Sequence, residues 1–264
     1  MIPCIYLSNI KWSSSNLGSS QGMLSKSTIK KGEVTYHVKM SSYNEIHGVY
    51  GIESISEVIA SRLARILGID CADYKLYNAC VSKGGKQFWT YLCISKDFTG
   101  GRESISFEKA YKLLKLEHET PLEFVKRTGN TYGVYRMFIF DYIINNMDRH
   151  GANIELCKNN LKFLPLFDNG NSLYSSTDEE RIKNYYYGDS MNVNNFIGSR
   201  SLLNNLKEID LEIGINKLCQ KHRQTLFKDL SNVISRDRRD TIWRHIVRRY
   251  EHAREICHFQ EVKK

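Results

Sequence analysis

The segment that most constrains this chain is Asn145-Asn146-Met147-Asp148-Arg149-His150-Gly151-Ala152-Asn153-Ile154, a polar run between an apolar helical stretch and a short hairpin-like region. Beyond that region comes Phe167-Asp168-Asn169-Gly170. Singly, Asp-Arg-His and Asp-Asn-Gly are turn sequences, because short polar side chains hydrogen-bond to nearby backbone. Taken in order around a hairpin, they bring an aspartate, an asparagine and a second aspartate onto loops that return to one place. Such oxygen donors suit phosphoryl transfer, where the protein positions a hydroxyl nucleophile and neutralises phosphate charge through metal ions. On this reading Asp148 accepts the hydroxyl proton, while Asn153 and Asp168 hold Mg²⁺.

Upstream, Val34, Tyr36 and Val38 alternate with Thr35, His37 and Lys39. That is the period of a half-buried strand, with Lys39 on the face of Thr35. Ser54 and Glu57 have the spacing of a capping box, so a helix is expected from Ser54. Its apolar stripe is Ile55, Val58, Ile59, Leu63, Ile66 and Leu67, and Gly68 is its stop. Strand-like runs at 74–81 and 88–94 flank Lys83-Gly84-Gly85-Lys86, which reads as a hairpin turn. From Phe107 onward the periodicity is mostly helical, at 107–116, 121–128, 132–146, after Leu202, and at 241–261. Strand-like breaks fall at 154–157 and 161–167. The pattern predicts an α+β fold in two lobes: residues 1–98 small, β-rich and carrying one helix, residues 99–264 larger and mostly helical.

Composition narrows the function classes. With 264 residues, 41% hydrophobic, the chain can bury one large core or two modest ones. Its apolar runs fall short of the roughly 20 residues that cross a bilayer. Its first residues lack the basic-then-apolar pattern of a secretory signal. The seven cysteines are scattered without zinc-site spacing and read as free thiols in a reducing compartment. A net charge of +9 favours anionic ligands. Arg236, Arg238, Arg239, Arg244, Arg248 and Arg249 carry much of it and read as a solvated helix face.

Asp148-Arg149-His150-x-x-Asn153 with Phe167-Asp168 resembles the catalytic and metal-binding segments of HipA-like serine/threonine kinases, including their short, single-module members. The similarity runs collinearly from about Ser13 to Leu173. It implies a two-lobed protein-kinase-like fold that uses ATP and Mg²⁺. It further implies that Lys39, in Tyr36-His37-Val38-Lys39, contacts the α- and β-phosphates, with Glu57 as its partner if the capping box does not claim that side chain. Cys93-Ile94-Ser95-Lys96-Asp97-Phe98 is similar to the strand-to-hinge segment, where backbone from Lys96 to Phe98 would meet adenine. The Ser/Gly-rich stretch 13–26 occupies the position of a phosphate-covering loop, with Ser19, Ser20 and Gly22 as its cofactor-contacting residues and Ser19 or Ser20 as an autophosphorylation site. Arg149 is expected to order the loop. Asn169 stands where many protein kinases have Phe-Gly, so no Asp-Phe-Gly switch is implied.

The resemblance implies a protein substrate, an antitoxin or other regulatory partner, and action in the cytoplasm or, as a delivered effector, in a host cell. Two other readings share residues with it. One is a phosphoinositide-type lipid kinase, which has the same Asp-Arg-His-x-x-Asn loop. The other is a non-catalytic module binding nucleic acid or protein through its basic helices, against which the full set of Lys39, Asp148, Asn153 and Asp168 argues.

Overall fold

In the computed structural model, residues 1–13, 25–182, 192–257 and 259–262 are described. The first part of the chain forms β1 (Cys4–Leu7), β2 (Lys26–Lys31), β3 (Val34–Met40), the short pair β4 (Tyr43–Asn44) and β5 (Gly48–Val49), α1 (Glu53–Leu67), β6 (Tyr74–Lys83) and β7 (Lys86–Lys96). Five of these strands make one sheet in the order β1-β6-β7-β3-β2. The β1–β6 pair is parallel and the others are antiparallel. The hairpin between β6 and β7 pairs Lys83 with Lys86, leaving a two-residue loop of Gly84 and Gly85. Both glycines have positive φ, the conformation that such a tight right-twisted turn demands.

Strand alternation sorts the β3 side chains. Val38 and Met40 join Ala79, Val81, Leu92 and Ile94 in an apolar cluster on one face. Lys39 faces the other way, beside the Tyr74 ring and beneath α1. The helix is buried along most of its length, with Val58, Ile59, Leu63 and Leu67 fully inside, because it lies between the sheet and the rest of the molecule. Gly68 closes it in the left-handed conformation, as expected.

Two features of α1 differ from the sequence expectation. The helix begins at Glu53, with Ile52 at the cap and no side-chain capping bond. The Ser54 hydroxyl instead bonds Ser41 Oγ at 2.8 Å and donates to the Tyr91 carbonyl at 3.0 Å. Glu57 points at Lys39, where its carboxylate meets a buried ammonium that would otherwise lack enough anionic partners.

The second part contains β8 (Ser104–Ser106), α2 (Phe107–Leu114), α3 (Pro121–Arg127), α4 (Thr131–Ile144), β9 (Asp148–Arg149), β10 (Glu155–Cys157), α5 (Glu179–Ile182), β11 (Asn194–Asn195), α6 (Leu202–Lys207), β12 (Gly214–Asn216), α7 (His222–Leu226), α8 (Arg236–Cys257) and β13 (Gln260–Val262). The run 161–167, expected as a strand, makes only isolated bridges, Leu156 to Phe163 and Cys71 to Leu166. Pro165 has no N–H to continue a ladder. Its neighbour Leu166 instead bonds across to the first part of the chain, accepting from Ala72 N at 2.8 Å and donating to Asp70 O at 2.9 Å. The strand β10 pairs with β8.

The last helix is not a uniformly solvated basic face. Arg238 and Arg249 are buried. Arg249 donates to the Tyr142 carbonyl at 2.6 Å and lies over the Tyr142 ring, while Arg238 ties α8 to Glu179 and the Thr177 carbonyl. All seven cysteines are free thiols. Among the described residues no helix is long and apolar enough to cross a membrane.

The core contributed by α1 sets the first prediction. Leu63 is fully buried between sheet and helices. Leu63→Ala should lower the unfolding free energy by roughly 2–5 kcal/mol, the cost of lost apolar burial plus a cavity. Urea titration of parent and variant checks this.

Candidate active site

The centre of the site is a buried cluster of charges. Lys39 Nζ lies 2.9 Å from Asp168 Oδ1 and 3.3 Å from Glu57 Oε2. Lys26, which pairs with Lys39 across β2 and β3, donates to Asp168 Oδ2 at 2.6 Å. Asp168, Lys39 and Glu57 are all buried. Burial alone would lower the Lys39 pKa, but Asp168 and Glu57 more than offset it and hold the ammonium well above its ordinary value. Burial likewise pushes the Asp168 carboxyl up, and Lys39 and Lys26 outweigh that, holding it below the usual carboxylate range. Asp168 has φ of +58°, a left-handed conformation that few non-glycine residues adopt and that aspartate tolerates better than most. Gly170 lets the same turn press against α1, since a Cβ there would sit 3.1 Å from Glu53 O and 3.3 Å from Glu57 Oε2.

A second buried network holds the loop after α4. Asn145 ends that helix in the left-handed conformation, and Asn146 Nδ2 donates to Asp141 Oδ1 at 2.9 Å. Arg149 is 1% exposed and grips Asp141 through Nε and Nη2 at 3.0 and 2.8 Å. The same guanidinium donates to the carbonyls of Asn153 (3.2 Å) and Phe167 (2.8 Å) and to Asn169 Oδ1 (2.5 Å). One side chain therefore clamps the loop bearing Asp148 and Asn153 to the turn bearing Asp168. Asn169 closes the circuit, its backbone N–H donating to Glu57 Oε1 at 2.9 Å.

Asn153 Nδ2 donates to the Asp148 carbonyl at 3.0 Å, which leaves its amide oxygen as the atom able to meet a cation. Asp148 is partly exposed, and Asn194 Nδ2 donates to its Oδ1 at 2.6 Å across the β9–β11 pairing. Among the described residues no three His, Cys, Asp or Glu side chains form a metal cluster. The candidate set is one carboxylate and one amide, which fits Mg²⁺ because that ion usually takes one or two protein oxygens and completes its shell with water and phosphate. A cleft of about 850 Å³ opens beside this set, lined by Lys26, Lys39, Tyr74, Asp97, Phe98 and Asp168, among others.

A crystal structure of the Helicobacter pylori proinflammatory kinase CtkA is similar to this chain, with a TM-score of 0.61 and 15% sequence identity over 96% of this chain and 99% of that one. The chain has a two-lobed, kinase-like fold. No protein-family model and no curated protein sequence matches it.

Within the kinase-like fold, the structure brings Lys39, Glu57 and Asp168 into direct contact and joins Asn153 to them through Arg149. Asp148 stands at the open end of the same loop. Lys96 ends β7 opposite Tyr36, and Phe98 lines the cleft with its ring stacked on Phe167 at 4.8 Å. Ser19, Ser20 and Gly22 lie outside the described residues. Four members of the site were not singled out from sequence: Lys26, Asp141, Asn169 and Asn194. Asp141 had a visible signal, because it is the one carboxylate in the otherwise apolar stretch 137–144 of α4, and such a buried charge must be paired. Lys26 and Asn194 had none, since their roles depend on contacts with residues far away in sequence, Asp168 and Asp148.

The ion cluster predicts an unusual pH response. Lys39→Met removes the buried cation shared by Asp168 and Glu57, which should cost about 3–5 kcal/mol at neutral pH. In the parent, the depressed Asp168 pKa contributes stability above its unfolded value that is lost as pH falls. In the variant, Asp168 buried without that ammonium takes up a proton more readily, so the deficit should shrink between pH 7.5 and pH 5. Urea unfolding at both pH values tests this, and an unchanged deficit would contradict it.

Proposed function

We propose that the chain is an ATP- and Mg²⁺-dependent serine/threonine protein kinase of the HipA-like kind. The observation that carries this reading is the contact of Lys39 with both Glu57 and Asp168, clamped by Arg149 to the loop of Asp148 and Asn153. Division into lobes at residues 98 and 99 follows from it, with the nucleotide in the cleft between them and backbone of Lys96 to Phe98 at the adenine.

Asp168 and the amide oxygen of Asn153 would hold magnesium, which supplies positive charge to the phosphate oxygens. Lys39, fixed by Glu57, is oriented to contact the α- and β-phosphates. Asp148 orients the acceptor hydroxyl and takes its proton while the hydroxyl oxygen bonds to the γ-phosphorus and the bond from that phosphorus to the ADP oxygen breaks. ADP leaves with the electron pair. Asn194 keeps the Asp148 carboxylate in one orientation through its 2.6 Å bond. The Cys71 thiol behind Asn169 is pushed up to about 12 by burial, so it stays protonated and takes no part as a nucleophile.

A positioned general base contributes about 10²- to 10⁴-fold. Asp148→Ala should lose rate on that scale while still binding Mg-ATP, and Asp168→Asn should weaken Mg-nucleotide binding itself. Transfer from γ-labelled ATP to generic protein substrates, run beside phosphoinositide vesicles, measures the rates and separates protein from lipid substrates. Unchanged labelling by Asp148→Ala would remove that residue from the mechanism.

A further inference from the structure

Among the described residues, three carboxylates line the cleft, those of Asp97, Glu155 and Asp168. Two are occupied by the protein itself. Asp97 accepts from Thr99 Oγ1 at 2.6 Å and lies 3.3 Å from His37 Nε2. Asp168 rests on Lys39 and Lys26. Glu155 differs, because its Oε2 is shut away from solvent without a hydrogen-bond partner among the described residues.

The backbone holds Glu155 in a fixed place. It opens β10 two residues after Asn153, pairs with Ser106 on β8, and accepts from Leu164 N at 2.9 Å. Its neighbour Leu156 is fully buried on the opposite face, so strand alternation turns Glu155 towards the cleft beside Phe98 and Phe167. An apolar side chain would complete a continuous greasy wall there. A buried acceptor left unpaired instead costs free energy, which a ligand carrying a donor would recover.

With phosphates assigned to Lys39 and Asp168, the wall of Phe98, Phe167 and Glu155 is left for the nucleoside. We propose that Glu155 is a specificity-determining residue, whose Oε2 accepts a hydrogen bond from an N–H or O–H donor on the nucleoside half of the nucleotide. This inference rests on the kinase reading. The donor is the exocyclic amine of adenine or a ribose hydroxyl, and both present the same chemistry to a carboxylate.

The test is the dissociation constant of ATP, purine riboside triphosphate, 2′-deoxyATP and 3′-deoxyATP for the parent, Glu155→Leu and Glu155→Gln, by calorimetric titration with Mg²⁺. The parent should bind one analogue at least tenfold more weakly than ATP, which identifies the donor. Glu155→Leu should bind ATP as weakly as that analogue and lose the discrimination, and its nucleotide-free melting temperature should equal or exceed the parent's because the orphan acceptor is gone. Glu155→Gln preserves volume and should narrow the discrimination several-fold even if the leucine variant does not fold. Discrimination that survives in both variants would overturn the proposal, as would a parent that binds ATP tightly but all four nucleotides equally, the kinase reading then standing. A parent that binds none of them would overturn both.

Discussion

A lysine buried beneath a helix cannot stay charged without anions, and in this chain the anions come from two distant places. Lys39 on β3 takes one carboxylate from α1 and another from the turn at Asp168. Strand, helix and turn are thereby held in one relative arrangement. Such a cluster contributes less to net stability than its Coulomb attraction suggests, because three charges have been taken out of water. Its effect is on geometry: any other placement of α1 or of the Asp168 turn leaves an uncompensated charge in a low-dielectric interior. The position of α1 against the sheet and the left-handed backbone of Asp168 both follow from that requirement.

Arg149 extends the same logic to the other half of the site. Buried and paired with Asp141 on α4, its planar fork still has donors to spare, and these reach the carbonyls of Asn153 and Phe167. A lysine could not do this, having a single point of charge and no fixed fork. The residue next to the proposed base is therefore a structural bracket, and it brings two loops to a common pocket without entering it. His150 plays a lesser part: its Nδ1 accepts from Ala152 N, which shapes the short turn leading to Asn153.

Much of this was legible in the sequence because it is local. Period-two alternation at 34–39 sets Lys39 on a face opposite Val38, and the Gly84-Gly85 turn and the Gly68 stop follow from backbone conformations that glycine adopts readily. The joint spacing of Asp148, Asn153 and Asp168 suggested one site, and Arg149 joins their loops. What was hidden is non-local. Ser54 and Glu57 have the spacing of a capping box, yet tertiary partners claim both side chains. The strand expected over 161–167 fails at Pro165, and its backbone pairs with residues near Cys71. Arg238 and Arg249 read as solvent-facing charges until their carbonyl and carboxylate partners, far away in sequence, come into view.

The central claim is that Asn153 and Asp168 share a cation at the phosphate end of a nucleotide gripped by Lys39. A crystal structure with Mg²⁺ and a non-hydrolysable ATP analogue tests it most directly. The account predicts a metal at about 2.0–2.1 Å from an Asp168 carboxylate oxygen and the Asn153 amide oxygen, with Lys39 Nζ on the α- and β-phosphates. A nucleotide seated elsewhere, or a metal that ignores both side chains, would contradict it.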